Sequence, residues 1–260
     1  MTPDPVLYEK ADGGIAWVTL NRPDVLNAIN MRMRDEMWEI MLAVRDDPDV
    51  RAVIFRGAGD RAFSAGADVS EFGTAPAYVE ARRARRERDL WQLMLTQEKL
   101  LVAAIHGYAL GAGIELPMCC DFRIASEDAR IGLPEVSLGY IPSAGGTQTL
   151  PRHVPTGIAM QMILTGDPID AQTAYRYGLV QRVVPRERLY ERTGIQFLPF
   201  NSVFQLQALR ENNPALLGAA DRFLMMPDLF TYFLSGAKIN EATIASTSQL
   251  LSNSDDGLSP

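Results

Sequence analysis

The chain has 260 residues, 47% hydrophobic and 22% charged, a balance that accommodates one large α/β domain or a smaller domain with an appendage and excludes global disorder. Its formal net charge of -7 offers no overall attraction to nucleic acid or to an anionic membrane surface. The opening "MTPDPVLYEK" lacks an apolar signal core, and no run reaches the roughly 18 apolar residues of a membrane span. The two cysteines, adjacent at 119 and 120, point in different directions in any regular element, so a disulfide between them is not expected. Together these features predict a soluble, cytoplasmic protein.

In chain order, "VLYEKADGGIAWVTLN" reads as two β-rich runs joined by a tight Asp-Gly-Gly turn, a hairpin. Leu26, Ile29, Met33, Met37, Ile40, Met41 and Val44 then recur at helical intervals up to Pro48. "VRAVIFRGAGD" has the continuous apolar character of a buried strand. The charged run "ARRARRERD" (81–89) is either a phosphate-binding patch or a solvated helix face, and the interleaved Glu80, Glu87 and Asp89 favour the solvated face. Beyond it come an apolar strand from Leu101, a small-residue turn, a helix starting near Gly113 and a strand over 122–125. Strands alternating with helices predict a largely parallel α/β architecture. The terminal "SNSDDGLSP" is expected to fray.

Two stretches let a ligand approach the backbone closely. "FSAGADVSEF" (63–72) and "HGYALGAGIEL" (106–116) are built from small residues, and the second runs directly into a helix, whose free N–H groups favour partial negative charge. Together they could form an oxyanion hole, whereas the "GAG" at 111–113 taken alone reads better as a helix–strand packing device. It lacks both the dinucleotide fingerprint and the lysine of a phosphate-binding loop. Glu115, in an apolar helix, and Glu135, in "GLPEVSLGYIPSAGG", are candidate paired acid/base groups, each alternatively a cap or surface acid. His106 and His153 have no metal-ligand spacing with the cysteines and read as packed or surface residues. No metal site is expected.

The segments "IAWVTLNRPDVLNAIN", "RAVIFRGAGDRAFSAGADVSEF", "AAIHGYALGAGIELPMCCDFRIASEDARIGLPEVSLGYIPSAGGTQTLPR" and "LTGDPIDAQTAYRYGLVQRVVPRERL", in that order, resemble the crotonase (enoyl-CoA hydratase/isomerase) superfamily over about residues 6–190. The resemblance implies a spiral of ββα units. It implies that the amides of Ala67 and Ala112 hold a thioester carbonyl oxygen, with Ala65, Gly66, Asp68, Val69 and Gly111 lining the substrate. Glu115 matches the family's base toward water and Glu135 its acid. The implied substrate is a 2-enoyl-CoA, hydrated with coenzyme A as part of the substrate and no permanently bound cofactor. Isomerases of the superfamily usually keep one of the two acids; double-bond isomerisation is the alternative. Asp24 and Ser70 stand where some hydratases carry phosphate-binding lysines, a loss for which the arginines of 81–89 could compensate.

From about residue 192 the texture changes: the last 69 residues carry 10 charges, against 47 in the 191 before them. "RTGIQFLPFNSVFQLQALRENNPALLGAADRFLMMPDLFTYFLSGAKINEATIASTSQLL" resembles an internal segment of rhamnulokinase, without a catalytic aspartate region or phosphate loop. The expected organisation is a catalytic domain over 1–191 and a rhamnulokinase-like fragment over 192–260, forming an atypical helical C-terminal segment. The resemblance also implies a homotrimer or dimer of trimers, normally completed by the C-terminal helices replaced here. A catalytically impaired chimera is a further reading.

Overall fold

The computed structural model describes residues 3–72 and 87–189. The chain divides into two compact units, Met1–Gly194 and Ile195–Pro260, and every described residue lies in the first. The rhamnulokinase-like segment and residues 81–86 of the arginine run therefore fall outside the described residues.

The expected hairpin forms, with β1 (Val6–Ala11) antiparallel to β2 (Ile15–Leu20) and Val6 opposite Leu20. Helix α1 then runs over Met31–Asp46. It starts later than the apolar spacing predicts, because Leu26 and Asn27 both take φ +54, which an α-helix cannot include. The Asn30 side chain instead caps the helix by accepting from the Met33 amide at 2.9 Å. Ile29 is diverted into a parallel bridge with Ala67. The rest of the spacing holds: Met33, Met37, Met41 and Val44 are fully buried.

From here the chain alternates between two sheets. Strand β3 (Ala52–Gly57) enters the first and β4 (Ala62–Ser64) the second; after α2 (Leu90–Leu95), β5 (Leu100–Ile105) returns to the first and β6 (Tyr108–Leu110) to the second. Helix α3 (Ala112–Met118) precedes β7 (Phe122–Ser126) and β8 (Arg130–Gly132), which repeat the alternation. Helices α4 (Gly146–His153) and α5 (Thr156–Thr165), strand β9 (Ile169–Asp170), helix α6 (Ala171–Arg176) and strand β10 (Arg182–Val184) follow. The first sheet has the order β1-β2-β3-β5-β7-β10, parallel from β2 onward, and the second β4-β6-β8-β9. Strand, strand, helix, with successive strands assigned to alternate sheets, is the spiral of ββα units.

Strand β5, "LLVAAI", is buried at every position but its first, as expected of a parallel strand covered on both faces. Phe55, Phe63, Met33, Met37, Met41 and Ile105 belong to one buried cluster. Each such side chain contributes about 1.5–3 kcal/mol relative to exposure. Through Phe63 of β4 and Ala109 of β6 the cluster also takes in the strands from whose ends the two small-residue loops leave.

Candidate active site

The first loop is organised by two buried polar side chains. Asn27, fully buried, donates through Nδ2 to the carbonyls of Ala58 and Ala62, both at 2.9 Å, and accepts from the Arg22 amide at 2.9 Å. Those bonds hold the left-handed turn against β4. Ser64 donates to the Asn27 carbonyl at 2.8 Å and accepts from the Gly66 amide at 3.2 Å. Ile29 donates to the Gly66 carbonyl at 2.7 Å, while the Asp68 amide donates to the Ile29 carbonyl at 3.0 Å. In such a parallel bridge the intervening residue turns its own N–H to the opposite side. The Ala67 amide is thus aimed away from Ile29, and it has no acceptor among the described residues.

The second loop meets the first backbone to backbone. A Cβ on Gly66 would lie 2.7 Å from the Leu110 carbonyl oxygen and 3.5 Å from the Ala112 amide nitrogen. Gly111 takes φ +53 and turns the chain into α3, so Ala112 begins the helix with an amide that no preceding turn can use. Gly113 is packed so closely that a Cβ there would come 2.2 Å from the Ser64 carbonyl oxygen. Gly113 thus serves the packing expected of the "GAG", and Gly111 turns the chain so that the Ala112 amide lies close to the Gly66–Ala67 loop. A helix of this length is not itself an anion site; what marks the place is the pair of amides, from two separate loops, that have no acceptor among the described residues.

Glu115 and Glu135 are 2% and 3% exposed, so neither is the surface acid that each could have been. Glu115, in α3, has the partners that a buried carboxylate needs: its Oε1 accepts from the amides of Ala144 at 3.1 Å and Gly146 at 2.6 Å. Gly146 is bare for that reason, since a Cβ there would sit 2.8 Å from the same oxygen. Glu135 lies in the 3₁₀ turn Pro134–Leu138 after β8, with its Oε1 placed where a Cβ on Gly111 would come within 2.9 Å. Its Oε2 is buried without a hydrogen-bond partner among the described residues. Burial pushes the Glu135 carboxyl above the ordinary carboxylate range. One segment, 135–146, thus begins at one acid and ends by holding the other. The two carboxylates sit in contrasting environments, one tied down by amides and one orphaned against the turn that delivers Ala112.

The other expected residues divide. Ala65 donates to Leu26 at 2.9 Å and shapes the loop, and Val69 is largely exposed beside it. Asp68 stands at the same loop, but its carboxylate is committed to Arg22 Nη1 at 2.8 Å and to the amide and hydroxyl of Ser70. Those bonds, the Ser70 hydroxyl foremost, hold its pKa below the usual value. Asp24 lies in the 3₁₀ turn Pro23–Val25. Of the arginine run, Arg88 faces Glu39 at 3.4 Å and Asp89 caps α2 through the Gln92 amide at 3.0 Å, roles of a solvated face.

His106 is fully buried and His153 is half-buried, its Nε2 2.9 Å from the Met118 carbonyl, so both are packed residues. Cys119 and Cys120 are buried free thiols. No cluster of metal ligands occurs among the described residues, and no helix among them is long and apolar enough to cross a membrane. Sequence reasoning missed Asn27 and Ser64; a lone amide between apolar neighbours in "VLNAI" was the available signal. It also missed the Ala144 and Gly146 amides, whose role depends on a fold contact that no local pattern carries.

The family model for enoyl-CoA hydratase/isomerase matches residues 10–202, and the chain belongs to that family. The model for the N-terminal domain of the FGGY family of carbohydrate kinases matches residues 168–255. Among relatives, a crotonyl-CoA hydratase of Syntrophomonas wolfei is 42% identical over 189 residues, 73% of this chain and 72% of its own length. An (E)-benzylidenesuccinyl-CoA hydratase of Thauera aromatica is 41% identical over 216 residues, 82% and 83% of the two chains. The crystal structure of an enoyl-CoA hydratase from Bacillus anthracis superposes with a TM-score of 0.68 at 31% identity, covering 90% of this chain and 97% of that one.

Proposed function

We propose that the chain is an enoyl-CoA hydratase-type lyase that adds water across the double bond of a 2-enoyl-CoA thioester. The observation that carries this reading is the meeting of two buried carboxylates, in unlike environments, with two amides that have no acceptor among the described residues. The thioester carbonyl oxygen accepts from the Ala67 and Ala112 amides. Water held between the carboxylates gives a proton to Glu115 and its oxygen to the β-carbon, and the π-electrons move through the α-carbon onto the carbonyl oxygen. Collapse of that enolate takes a proton from Glu135 at the α-carbon, leaving a 3-hydroxyacyl thioester. Burial favours a Glu135 that carries its proton, as the acid must, while Glu115 accepts amide bonds suited to the ionised base. Backbone donors at Ala67 and Ala112 each supply stabilisation whose loss typically costs about 10²–10³ in rate.

Coenzyme A enters as part of the substrate, no resident cofactor takes part, and the reaction is cytoplasmic. The catalytic domain spans 1–191, and 192–260 is a rhamnulokinase-like fragment in place of the usual C-terminal region. The division after Gly194 lies close to that boundary, and the second family match, over 168–255, supports the kinase-like character of the C-terminal part while overlapping the first match, which runs to 202. An assembly of three such subunits, or of two trimers, follows if the fragment leaves the contact surface usable.

Isotopes separate hydration from isomerisation. In heavy-oxygen water, hydration places the label on the β-carbon, and in deuterium oxide it places one deuterium at the α-carbon. Isomerisation incorporates deuterium without heavy oxygen, and that outcome would replace the present reading.

A further inference from the structure

Residues 135–146 connect the two acids, and midway between them stands Tyr140. Its amide donates to the Glu135 carbonyl at 3.2 Å, which folds the segment back after the left-handed Gly139. Its half-buried ring packs edge-to-face on Phe72, with centroids 5.5 Å apart and planes at 82°. Phe72 closes the 3₁₀ turn that follows the Ala67 loop. The aromatic pair therefore joins the loop of one amide to the segment of both acids. Burial first, and after it the nearby carboxyl groups of Glu135 and Glu115, raise the pKa of the phenol.

A 2-enoyl group with its carbonyl oxygen on the two amides and its β-carbon at the carboxylates must send its remaining carbons past those carboxylates. An edge-to-face contact is worth about 0.5–1.5 kcal/mol beyond burial, enough to keep a ring from swinging aside freely. We infer that Tyr140, backed by Phe72, is the wall that ends the acyl pocket and restricts the enzyme to enoyl groups with few atoms beyond the β-carbon. The inference rests on the hydratase reading for its choice of site. Tyr140 is on this view a specificity-determining residue, with no part in proton transfer.

The test compares wild type, Tyr140→Ala, Tyr140→Phe and Phe72→Ala on crotonyl-CoA and 2-octenoyl-CoA. The readout is the ratio of kcat/KM for the longer substrate to that for the shorter. Removal of a wall raises the ratio by about tenfold or more, since each methylene in an apolar pocket is worth roughly 10-fold or above. Tyr140→Ala raises it, Phe72→Ala raises it less, and Tyr140→Phe keeps the wild-type ratio because the ring remains.

The same ratio is read without turnover by calorimetric titration with butyryl-CoA and octanoyl-CoA. Wild type that prefers butyryl-CoA yet fails to hydrate crotonyl-CoA overturns the hydratase reading and leaves the wall standing. Unchanged binding and kinetic ratios in Tyr140→Ala overturn the wall. Should Tyr140→Ala lose its cooperative melt, the half-exposed Phe72 takes its place, and an unchanged ratio in Phe72→Ala counts equally against it.

Discussion

Glu135 is held where folding disfavours its charge, and this has opposite consequences for stability and chemistry. Its pKa is raised above the 4.5 of an ordinary glutamate, so the folded state keeps a proton that the unfolded chain releases. Stability from this group is therefore lost as pH rises from about that ordinary value through the raised one. Glu135→Gln removes the effect: its melting temperature exceeds wild type at pH 7, and the gap narrows as pH falls toward 4.5. Activity moves the other way in the same variant, falling about 10²–10⁴-fold with the loss of the acid. His106 has the reverse sign. Burial lowers its pKa from 6.5 to about 4, so its contribution is intact above 6.5 and lost as pH falls toward 4, because the unfolded chain takes up the proton first. Urea unfolding at pH 5 should show about 2 kcal/mol less stability from this group than at pH 7.

At the scale of elements, the placement of α3 decides whether the site exists. Gly113→Ala drives a methyl against the rigid Ser64 backbone, at a cost of about 1–3 kcal/mol, and displaces the Ala112 amide, so melting temperature and kcat fall together. Gly146→Ala presses instead on the Glu115 carboxylate, and thermal melting with steady-state kinetics should show a larger loss in rate than in stability. The two cysteines that follow α3 are buried: burial pushes the Cys119 thiol up to about 12 and that of Cys120 well above its ordinary value. Neither thiol should react with a thiol-specific reagent until the protein is denatured. Continuous apolar runs made β3 and β5 legible in the sequence, the strand over 122–125 was also placed, and apolar spacing rich in methionine made the body of α1 legible. Strands β4, β6, β8 and β9 were not, because two- and three-residue strands have no period and owe their form to pairing across the second sheet. The acids and amides were visible as residue types in small-residue loops. Their partners were not, since Asn27 and the 144–146 amides act through contacts between distant segments.

The whole molecule joins a family-typical catalytic body to a C-terminal region that matches a carbohydrate kinase. The described residues contain both proposed acids and both proposed amide donors, all well before residue 191. On the proposed organisation, in which 192–260 stands in place of the usual C-terminal region, assembly is the property that most needs testing. A cooperative melt and a sedimentation coefficient of a trimer would support a working enzyme, whereas a broad melt with heavy aggregates would support an impaired chimera. The most direct measurement is the decay of enoyl-thioester ultraviolet absorbance when the intact chain is added to crotonyl-CoA, beside Glu115→Gln and Glu135→Gln proteins that melt cooperatively. The account predicts rapid loss with wild type and a fall of about 10²–10⁴-fold in rate with either variant. Equal rates in all three proteins, or a folded wild type that leaves the absorbance unchanged, would contradict it.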